Sequence, residues 1–413
     1  MTGNMEIRPL LVNASDTGGS ATATKRIHRA LRSIGVESQM LVQEKTTDDS
    51  TITGPSSKLA TGWSLARPHV DMLPLRLYHR NSGFAVNWLP ERMNERIEEI
   101  DPDVVHLNWM GRGTMSIRSI GEIDRPVVWR FPDMHAMTGG CHYAGDCDKF
   151  ENKCGSCPQL DSNRDFDLSR LDWHRKRHHW DDLDLTIVTP STWLAEQAEK
   201  SSLFSDKRIE VIPNPLDTET YRPRDPKLGR DFFDLPDDKR LLLFGAVDPM
   251  GDYRKGADLL QEALQSLPDE LDDIELVIFG ATEPTDPPEF GFSTHYVGYL
   301  HDDPSLALLY SAADVMVVPS RYEGFGQTVS ESLACGTPVV AFDATGPNDI
   351  VDHRETGWLA EPYESEELAR GIEWLLASVD REAVSRASRE RGIERYKQRS
   401  VANQYLDLYE SIG

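Results

Sequence analysis

The sequence predicts an α/β protein of two domains, each a parallel sheet flanked by helices, and three observations favour this class. With 413 residues, the chain is too long for one ordinary hydrophobic core. Short apolar runs rich in β-branched residues alternate with helical patterns along both halves, as they do in βαβ units. Prolines at 213–226 then break both periods, which is typical of a linker between domains.

Each expected strand of the first half is a short apolar run that ends at a turn residue. These strands are Ile7–Val12, Ser38–Val42, Val104–Leu107, Pro126–Phe131, Leu185–Val188 and Arg208–Ile212. The helices expected between them are Ser20–Ile34, Pro90–Ile100, Ser116–Ile120, Leu171–Trp180 and Trp193–Glu199. The stretch Glu44–Asn87 has no strong period and is predicted as a long loop. Its apolar side chains, such as Trp63 and Leu77, form either a satellite core or a surface beside a bound lipid or sugar.

The second half repeats the alternation of strands and helices. Its expected strands are Leu241–Phe244, Glu275–Phe279, His295–Val297, Val315–Val318 and the β-branched run after Pro338. Its expected helices start at about Gly256, at Pro304, at about Gly326 and at Glu366, and a last helix runs to the end of the chain. This order predicts a second βα domain after the linker.

The stretch 315–342 reads as one strand–loop–helix–strand unit, and the rest of the second half is organised around it. The apolar run Val315–Val318 stops at Pro319, so a buried strand ends there. The helix that opens at about Gly326 has to end near Cys335, because a glycine and a proline follow directly. A ligand is expected at the loop of this unit.

The loop and the first helical turn of this unit can bind an anion. The first turn leaves backbone N–H groups unpaired and points the positive end of the helix dipole outwards, so Gly326, Gln327 and Thr328 can hold a phosphate. Glu323 precedes this turn and Glu331 follows it. Carboxylates at these two places can accept hydrogen bonds from hydroxyl groups of the same ligand. Two solvated surface acids are the alternative interpretation.

The spacing Glu-Gly-Phe-Gly-x4-Glu from Glu323 to Glu331, continued by Ala-Cys-Gly-Thr-Pro-Val-Val-Ala, resembles the donor-site motif of retaining family-4 glycosyltransferases. The resemblance extends over most of the chain. It implies the GT-B fold, in which two Rossmann-like domains face each other across a cleft. It also implies an acceptor domain at 1–214, onto which a helix at about 392–413 crosses back, and a nucleotide-sugar donor domain at 215–391.

The resemblance implies roles for individual residues of the donor domain. Glu331 accepts hydrogen bonds from the ribose hydroxyls, Glu323 orients the sugar, and Lys255 with Arg254 neutralises the diphosphate at a helix start. The other implied donor contacts, toward the phosphates and the base, are Gly324, Phe325, Gly326, Gln327, Thr328, Tyr299 and Leu300. Catalysis would require no catalytic metal, because fixed positive groups stabilise the departing diphosphate.

Two positions depart from the pattern of this family. Ala246 stands where the family has an arginine, so Arg254 has to replace that charge or the site has lost it. Pro132 stands where the family has a histidine that contacts the donor. The nearby His135 is expected in its place, as a donor contact or a proton shuttle.

A Gly-Gly turn at Gly18 and Gly19 follows the first strand. It lacks the three glycines of the dinucleotide fingerprint, which argues against a nicotinamide cofactor. In the family that the chain resembles, a glycine-rich turn at this place lies against the donor diphosphate or the acceptor. A tight turn without a ligand remains the alternative.

Four of the five cysteines lie close together in the first half, at Cys141, Cys147, Cys154 and Cys157. The segment is similar to the four-cysteine insertion of a subgroup of these transferases, and its Cys-x2-Cys half has zinc-knuckle spacing. We predict a structural zinc ion held by the four thiolates. Thiols or disulfides and an iron–sulfur site remain alternatives, although a reducing cytoplasm argues against stable disulfides.

Charge and composition restrict the partners. The 69 acidic and 44 basic residues give a net charge of −25, which repels nucleic acid and anionic lipid alike, so nucleic acid is not an expected partner. The acids are spread over the whole sequence, as in a protein adapted to a salty cytoplasm. The start of the chain has no signal-peptide core. We predict a cytoplasmic protein, with a peripheral contact at the inner face of the membrane left open.

The predicted function is the transfer of a sugar, with retention of its anomeric configuration, from a nucleotide-diphosphate sugar to a glycan or a lipid-linked acceptor. The pathway expected from the resemblance is surface polysaccharide or glycoprotein glycan synthesis. Two alternatives remain open: a nucleotide-sugar-binding protein with impaired catalysis, for which Pro132 and Ala246 argue, and a nucleotide-sugar epimerase of the same fold, whose motif is not found in this sequence.

Overall fold

The computed structural model describes residues 7–79, 83–245 and 247–413. These residues form two compact units. The first unit contains the chain up to Pro215 together with Arg399–Gly413, and the second contains Leu216–Gln398. None of the helices in the described ranges is long and apolar enough to cross a membrane.

The first unit is built on a parallel sheet whose central strands are apolar and buried on both faces. Its seven strands in the described residues are β1 (Pro9–Ser15), β2 (Gln39–Glu44), β3 (Ile52–Thr53), β4 (Val104–Leu107), β5 (Val127–Arg130), β6 (Leu185–Thr189) and β7 (Arg208–Val211). Their order in the sheet is β3-β2-β1-β4-β5-β6-β7. The strand order therefore reverses between β1 and β4, and parallel α/β sheets bind ligands at such a switch point.

Six helices of the first unit connect these strands in the described part of the chain. They are α1 (Gly19–Ser33), α2 (Lys58–Asp71), α3 (Met93–Ile100), α4 (Ile117–Gly121), α5 (Leu168–Trp180) and α6 (Thr192–Lys200). Helix α6 starts where the sequence predicts, because the Ser191 hydroxyl accepts a hydrogen bond from the Leu194 backbone N–H.

The prediction of a loop over Glu44–Asn87 is wrong. The described residues of this stretch include strand β3, the fourteen-residue helix α2 and a 3-10 turn at Leu73–Leu77. Helix α2 has no apolar face toward the protein: its buried residues are Ser64, Arg67, Pro68 and Asp71. Since apolar residues do not recur on the inner side of α2, a search for amphipathic periodicity does not detect the helix.

The second unit has its own parallel sheet, with six strands in the described residues. They are β8 (Arg240–Gly245), β9 (Ile274–Phe279), β10 (Thr294–Gly298), β11 (Val315–Val318), β12 (Val339–Phe342) and β13 (Gly357–Ala360), in the order β10-β9-β8-β11-β12-β13. The order reverses between β8 and β11. The two parallel sheets with their helices confirm the predicted α/β class.

The helices of the second unit cover both faces of this sheet. Those in the described residues are α7 (Pro226–Phe233), α8 (Ala257–Gln265), α9 (Asp303–Ala312), α10 (Gln327–Ala334), α11 (Thr345–Asn348), α12 (Ser365–Glu373), which continues as a π-helical turn, and α13 (Arg381–Tyr396). The central unit of the sequence is reproduced as β11, α10 and β12, with the ends of α10 within a residue of those predicted.

The last helix, α14 (Gln398–Ile412), belongs to the first unit from Arg399 onwards. Its Tyr405 and Tyr409 are fully buried, and the Tyr409 hydroxyl lies 2.6 Å from Nδ1 of His106 on β4. The sequence places the start of this returning segment at about 392. In the structure residues 392–396 stay with the second unit, because Gly392 packs directly against the backbone of Ala334 on α10.

A buried histidine makes the stability of the first unit depend on pH. His28 of α1 lies 2.8 Å from both the Ser38 and the Thr51 hydroxyl oxygens. Burial, and then the charge of Arg32, lower the pKa of His28 to about 4. Below the ordinary pKa of about 6.5, the unfolded chain binds a proton that the folded chain does not. Stability present above that pH is therefore lost as the pH falls toward 4.

We expect this single histidine to lower the free energy of unfolding by about 2–3 kcal/mol between neutral pH and pH 4. His28→Gln should flatten that dependence in urea titrations, because the amide can bond both hydroxyls without taking up a proton. His79→Gln is the control, since His79 is exposed. An equal pH dependence in the parent and His28→Gln would contradict this prediction.

Candidate functional site

Several residues that the sequence singles out lie at the switch point of the second sheet. Strands β8 and β11 are neighbours there. The chain that follows β8 contains Arg254 and Lys255, and the chain that follows β11 contains Glu323. The carboxyl ends of parallel strands meet at one edge of a sheet, so the topology brings these loops together.

Lys255 and Glu323 form an ion pair at this edge. Lys255 Nζ lies 2.6 Å from Glu323 Oε2, and the side chains are 19% and 23% exposed. The residue after Lys255, Gly256, has a φ of 70°. A Cβ atom there would lie 1.9 Å from the Pro319 carbonyl oxygen. Glycine at this position therefore lets the loop after β8 pack directly on the end of β11.

Arg254 has a carboxylate partner on its own loop. Its Nε lies 3.0 Å from Asp252 Oδ1 and its Nη2 lies 2.5 Å from Asp252 Oδ2. The Arg254 carbonyl accepts a hydrogen bond of 2.7 Å from the Arg321 backbone N–H. Through this bond, Arg254 connects the two loops of the switch point. The Glu323 carboxylate has Lys255 as its cationic partner.

Sequence reasoning missed a second cation at this place, Arg321. Its guanidinium makes two hydrogen bonds of 2.7 Å to the Asp258 carboxylate of α8 and lies 3.9 Å from the centre of the Tyr253 ring. The hydrogen bonds from Arg321, together with its positive charge, lower the pKa of Asp258 although partial burial opposes them. The cluster holds the loop after β11 to the start of α8. No motif in the sequence joins residues so far apart.

The loop that enters α10 is tightly packed. Phe325 is buried and meets Tyr396 edge to face at 5.7 Å, and Gly326 has a φ of 97° at the amino end of the helix. The Glu323 carbonyl accepts a hydrogen bond of 2.8 Å from the Gly346 N–H. A Cβ atom on Gly346 would lie 2.5 Å from the backbone of Phe325. These contacts fix the backbone of the predicted anion site.

The amino end of α10 comprises Gln327 and Thr328, with Gly324 buried in the loop before it. The residue at the N-cap position is Gly326, which has no side chain that could cap this end of the helix. The backbone N–H groups of the first turn carry the positive end of the dipole, which suits an anionic ligand. The predicted phosphate contacts thus lie on the same loop as Glu323.

Glu331 is buried on α10, where its Oε2 accepts a hydrogen bond of 2.8 Å from the Tyr310 hydroxyl of α9. Burial, and then the nearby Glu331 charge, raise the pKa of Tyr310 well above its usual range, so this hydroxyl keeps its proton and donates. Tyr310 is the neighbour of Glu331 that the motif did not reveal.

Tyr299 and Leu300 follow the edge strand β10. Tyr299 is half exposed, and Leu300 packs partly against the core on the α10 side of the sheet. Gly298 before them has a φ of 73° and ends the strand after an irregularity in its register with β9. These residues lie at the carboxyl end of the sheet, two strands away from β8.

Gly18 and Gly19 lie at the switch point of the first sheet. Gly18 has a φ of 94°, and a Cβ atom on either glycine would have no heavy atom within 4 Å. The turn is therefore open on its outer side. Next to it, Asn13 Oδ1 accepts a hydrogen bond of 3.0 Å from the Trp109 backbone N–H, which joins the end of strand β1 to the loop after β4.

His135 lies in a buried cluster around Asp133 in the first unit. Asp133 Oδ1 is 2.6 Å from His135 Nδ1, and Asp133 Oδ2 accepts a hydrogen bond of 3.0 Å from Trp109 Nε1. His142 Nδ1 lies 3.4 Å from the same carboxylate. Burial alone would raise the pKa of Asp133, but the two histidines and their hydrogen bonds lower it. Nε2 of His135 is buried and has no hydrogen-bond partner among the described residues.

The four clustered cysteines line one small cavity of about 10 Å³. Cys154 Sγ accepts a hydrogen bond of 3.1 Å from the Gly139 backbone N–H. All four are free thiols, and burial raises the pKa of Cys154 to about 12. In the part of the chain that the structure describes, no three Cys, His, Asp or Glu side chains are placed so that they could hold one metal ion.

Comparisons with known proteins bear on the second unit first. Residues 231–391 match the family model described as "Glycosyl transferases group 1". A D-inositol 3-phosphate glycosyltransferase of Xylanimonas cellulosilytica is 33% identical over 219 residues, which are 49% of this chain and 51% of that protein. The chain thus matches about half of the length of this relative.

Solved structures resemble the whole chain. Sucrose-phosphate synthase from Thermosynechococcus elongatus has a TM-score of 0.70 over 98% of this chain and 99% of that chain, at 18% identity. The fold is GT-B. Anabaena Alr3699/HepE in complex with UDP and glucose has a TM-score of 0.65 over 98% and 100% of the two chains, at 14% identity.

The GT-B fold puts the sequence-derived residues into two groups. The second unit contains Lys255, Glu323 and Glu331, which also lie inside the segment that matches the family model. Gly18 and His135 lie in the first unit. Ala246, which departs from the family pattern, lies outside the described residues. The comparisons do not confirm the subgroup with four cysteines.

Proposed function

We propose that this chain is a retaining, family-4-like glycosyltransferase that takes a sugar from a nucleotide-diphosphate sugar bound to the second unit. The observation that carries the proposal is the Lys255–Glu323 pair at 2.6 Å, because it lies at the switch point of the second sheet and within the matched family segment. The match to glycosyl transferases and the solved complex of a relative with UDP support a nucleotide sugar as the donor.

In this proposal the two members of the pair have different tasks. Lys255 faces the diphosphate, with the first-turn amides of Gln327 and Thr328, and neutralises the negative charge that grows as the diphosphate leaves. Glu323 accepts hydrogen bonds from sugar hydroxyls and keeps the anomeric carbon in place. Each charge stabilises the other before the donor arrives, which keeps both side chains in position.

The reaction requires no protein nucleophile. The bond from the anomeric carbon to the phosphate oxygen breaks, the acceptor oxygen attacks from the same face, and its proton passes to the departing phosphate. Retention follows from attack on that face. Fixed positive groups at the leaving diphosphate supply the stabilisation, so the mechanism needs no catalytic metal.

The proposed domain roles follow the sequence prediction, with residues 1–214 selecting the acceptor and 215–391 binding the donor. In the first unit, Gly18, Gly19 and His135 would contact the substrates. The buried Asp133 carboxylate supports such a role for His135, because it orients the ring through Nδ1 and leaves Nε2 to a ligand. The acceptor is proposed to be a glycan or a lipid-linked glycan.

A panel of nucleotide sugars tests the proposal. The protein is incubated with each donor, and release of the nucleoside diphosphate is measured with and without glycan acceptors. Release that depends on an acceptor, with a product of unchanged anomeric configuration by NMR, is the expected result. Donor binding without any release would favour the impaired nucleotide-sugar-binding protein, for which Pro132 argues. Conversion of the donor into its epimer would favour the epimerase.

Glu331→Ala is expected to weaken donor binding by about 1–3 kcal/mol, because buried ribose hydroxyls lose their acceptor. Isothermal calorimetry with the donor identified by the panel measures this. Tyr310→Phe is the matched control, since it removes the partner of Glu331 and keeps the carboxylate. Unchanged affinity in Glu331→Ala would remove Glu331 from the donor site.

Structural zinc remains a proposal for Cys141, Cys147, Cys154 and Cys157, supported by the space that the four side chains share. Protein purified without chelators should then contain about one zinc ion per chain, and chelation should expose the segment to proteases without a reductant. Elemental analysis decides the question. Four titratable thiols and no zinc or iron above background would show that the cysteines are only packed together.

A further inference from the structure

Helix α2 is held to the first unit by polar contacts, which is unusual for a surface helix. The Arg67 guanidinium donates hydrogen bonds to the carbonyls of Gly113, Pro90 and Leu89. Asp71 accepts backbone hydrogen bonds of 3.2 and 3.1 Å from residues 87 and 88. An ordinary surface helix buries an apolar stripe and exposes polar residues. In α2 the polar residues are inside.

The outer side of α2 and of the 3-10 turn after it is apolar. Leu59 is 88% exposed and Leu77 is 86% exposed. We call the exposed large side chains of this segment the α2 apolar surface: Leu59, Trp63, Leu65, Met72, Leu73 and Leu77. Such a concentration of exposed apolar side chains marks an interaction surface, because its contact with water is unfavourable.

The charge around the α2 apolar surface differs from that of the rest of the chain. Between Ser57 and His79 the only acidic residue is Asp71, and it is buried. Two basic residues of the segment, Lys58 and Arg76, are exposed. In a chain with 69 acidic residues and a net charge of −25, this exposed segment carries no negative side chain. It therefore suits a partner that presents both apolar groups and phosphate.

We propose that the α2 apolar surface docks on a phospholipid bilayer, with α2 lying in the plane of the headgroups. Leucine and tryptophan side chains enter the acyl boundary in such interfacial helices, while lysine and arginine reach headgroup phosphates. The polar inner face of α2 stays on the protein. This inference does not rest on the proposed function, since binding to vesicles needs neither a donor nor an acceptor.

The net charge of the chain sets the salt dependence of this docking. A protein of charge −25 is repelled at long range by an anionic bilayer, and salt screens that repulsion. Insertion of apolar side chains is not screened. Binding to vesicles with anionic lipid is therefore expected to become stronger as potassium chloride is raised to molar concentration, the opposite of a purely electrostatic attachment.

Co-sedimentation with vesicles tests the proposal. The vesicles are phosphatidylcholine alone, and phosphatidylcholine with phosphatidylglycerol, both in molar potassium chloride. The parent protein should bind both. In the double variant Leu59→Ser with Trp63→Ser, the partition coefficient should fall about tenfold or more. In the single variant Leu77→Ser it should fall by a smaller factor. Because these side chains are exposed, the variants should unfold at the same temperature as the parent.

Phe232→Ser is the matched control. Phe232 is 64% exposed on α7 of the second unit, and its replacement should leave vesicle binding unchanged. A parent protein that does not sediment with either vesicle would overturn the proposal, as would equal binding by the double variant. Sedimentation velocity without lipid measures the oligomeric state. If the parent protein is a dimer, the double variant is a monomer and neither binds vesicles, the surface contacts a second copy of the chain and the proposal is wrong.

Discussion

Lys255→Met is expected to lower kcat by about 10²- to 10³-fold, while the affinity for the nucleotide sugar changes much less. The methionine keeps an unbranched apolar stem, one atom shorter than lysine, but removes the charge that faces the leaving diphosphate. Charge on that group is greater in the transition state than in the bound donor, so its loss acts mainly on turnover. Steady-state kinetics with the donor identified by the panel measures both parameters.

Lys227→Met is the control for the loss of one positive charge. Lys227 is exposed on α7 and pairs with Asp237 at 2.5 Å. It belongs to neither of the loops that follow β8 and β11, so its replacement should leave kcat unchanged. A Lys255→Met variant with the parent kcat and a raised KM would assign Lys255 to uniform donor binding instead. Normal kinetics in every respect would remove Lys255 from the site.

Gly256→Ala is expected to lower the free energy of unfolding of the second unit by about 3–5 kcal/mol and to abolish donor binding. Two costs combine in this variant. A residue with a Cβ atom is strained at a φ of 70°, and the Cβ atom would lie 1.9 Å from a backbone carbonyl of Pro319. Relief requires the loop to leave the end of β11, which separates Lys255 from Glu323.

Gly291→Ala separates these two costs. Gly291 has a φ of 84°, and no heavy atom lies within 4 Å of a Cβ atom built on it. The control should therefore lose only about 1–2 kcal/mol from backbone strain. Urea titration of both variants gives the difference. Equal losses in the two would mean that the approach to Pro319 contributes nothing to stability.

The architecture was predictable where the glycine and proline signals for the ends of elements agree with the hydrophobic periodicity. Strand β11 ends beside Pro319, and helix α10 lies between Gly326 and Cys335, as glycine and proline signals indicate. For Lys255 and Glu323, the sequence could predict only that they lie near each other, because their two loops meet at one edge of the sheet. Their separation of 2.6 Å depends on how the loops pack.

The contacts that sequence reasoning missed are those that join distant segments. The bidentate contact of Arg321 with Asp258 joins the loop after β11 to helix α8, and neither residue belongs to a local motif. The histidine cluster of the first unit also joins distant segments. Asp133, which follows β5, accepts a hydrogen bond from Trp109, which follows β4. Helix α2 was not predicted for a different reason. A surface helix usually buries apolar residues, whereas α2 buries polar ones such as Arg67.

The return of α14 to the first unit has a consequence for synthesis on the ribosome. The sheet of that unit is translated by Val211, but Tyr405 and Tyr409, which cover one of its faces, are made almost two hundred residues later. Domains fold as their chains emerge. The second unit is therefore synthesised before the first is closed, and His106 lacks its contact with Tyr409 until α14 has been made.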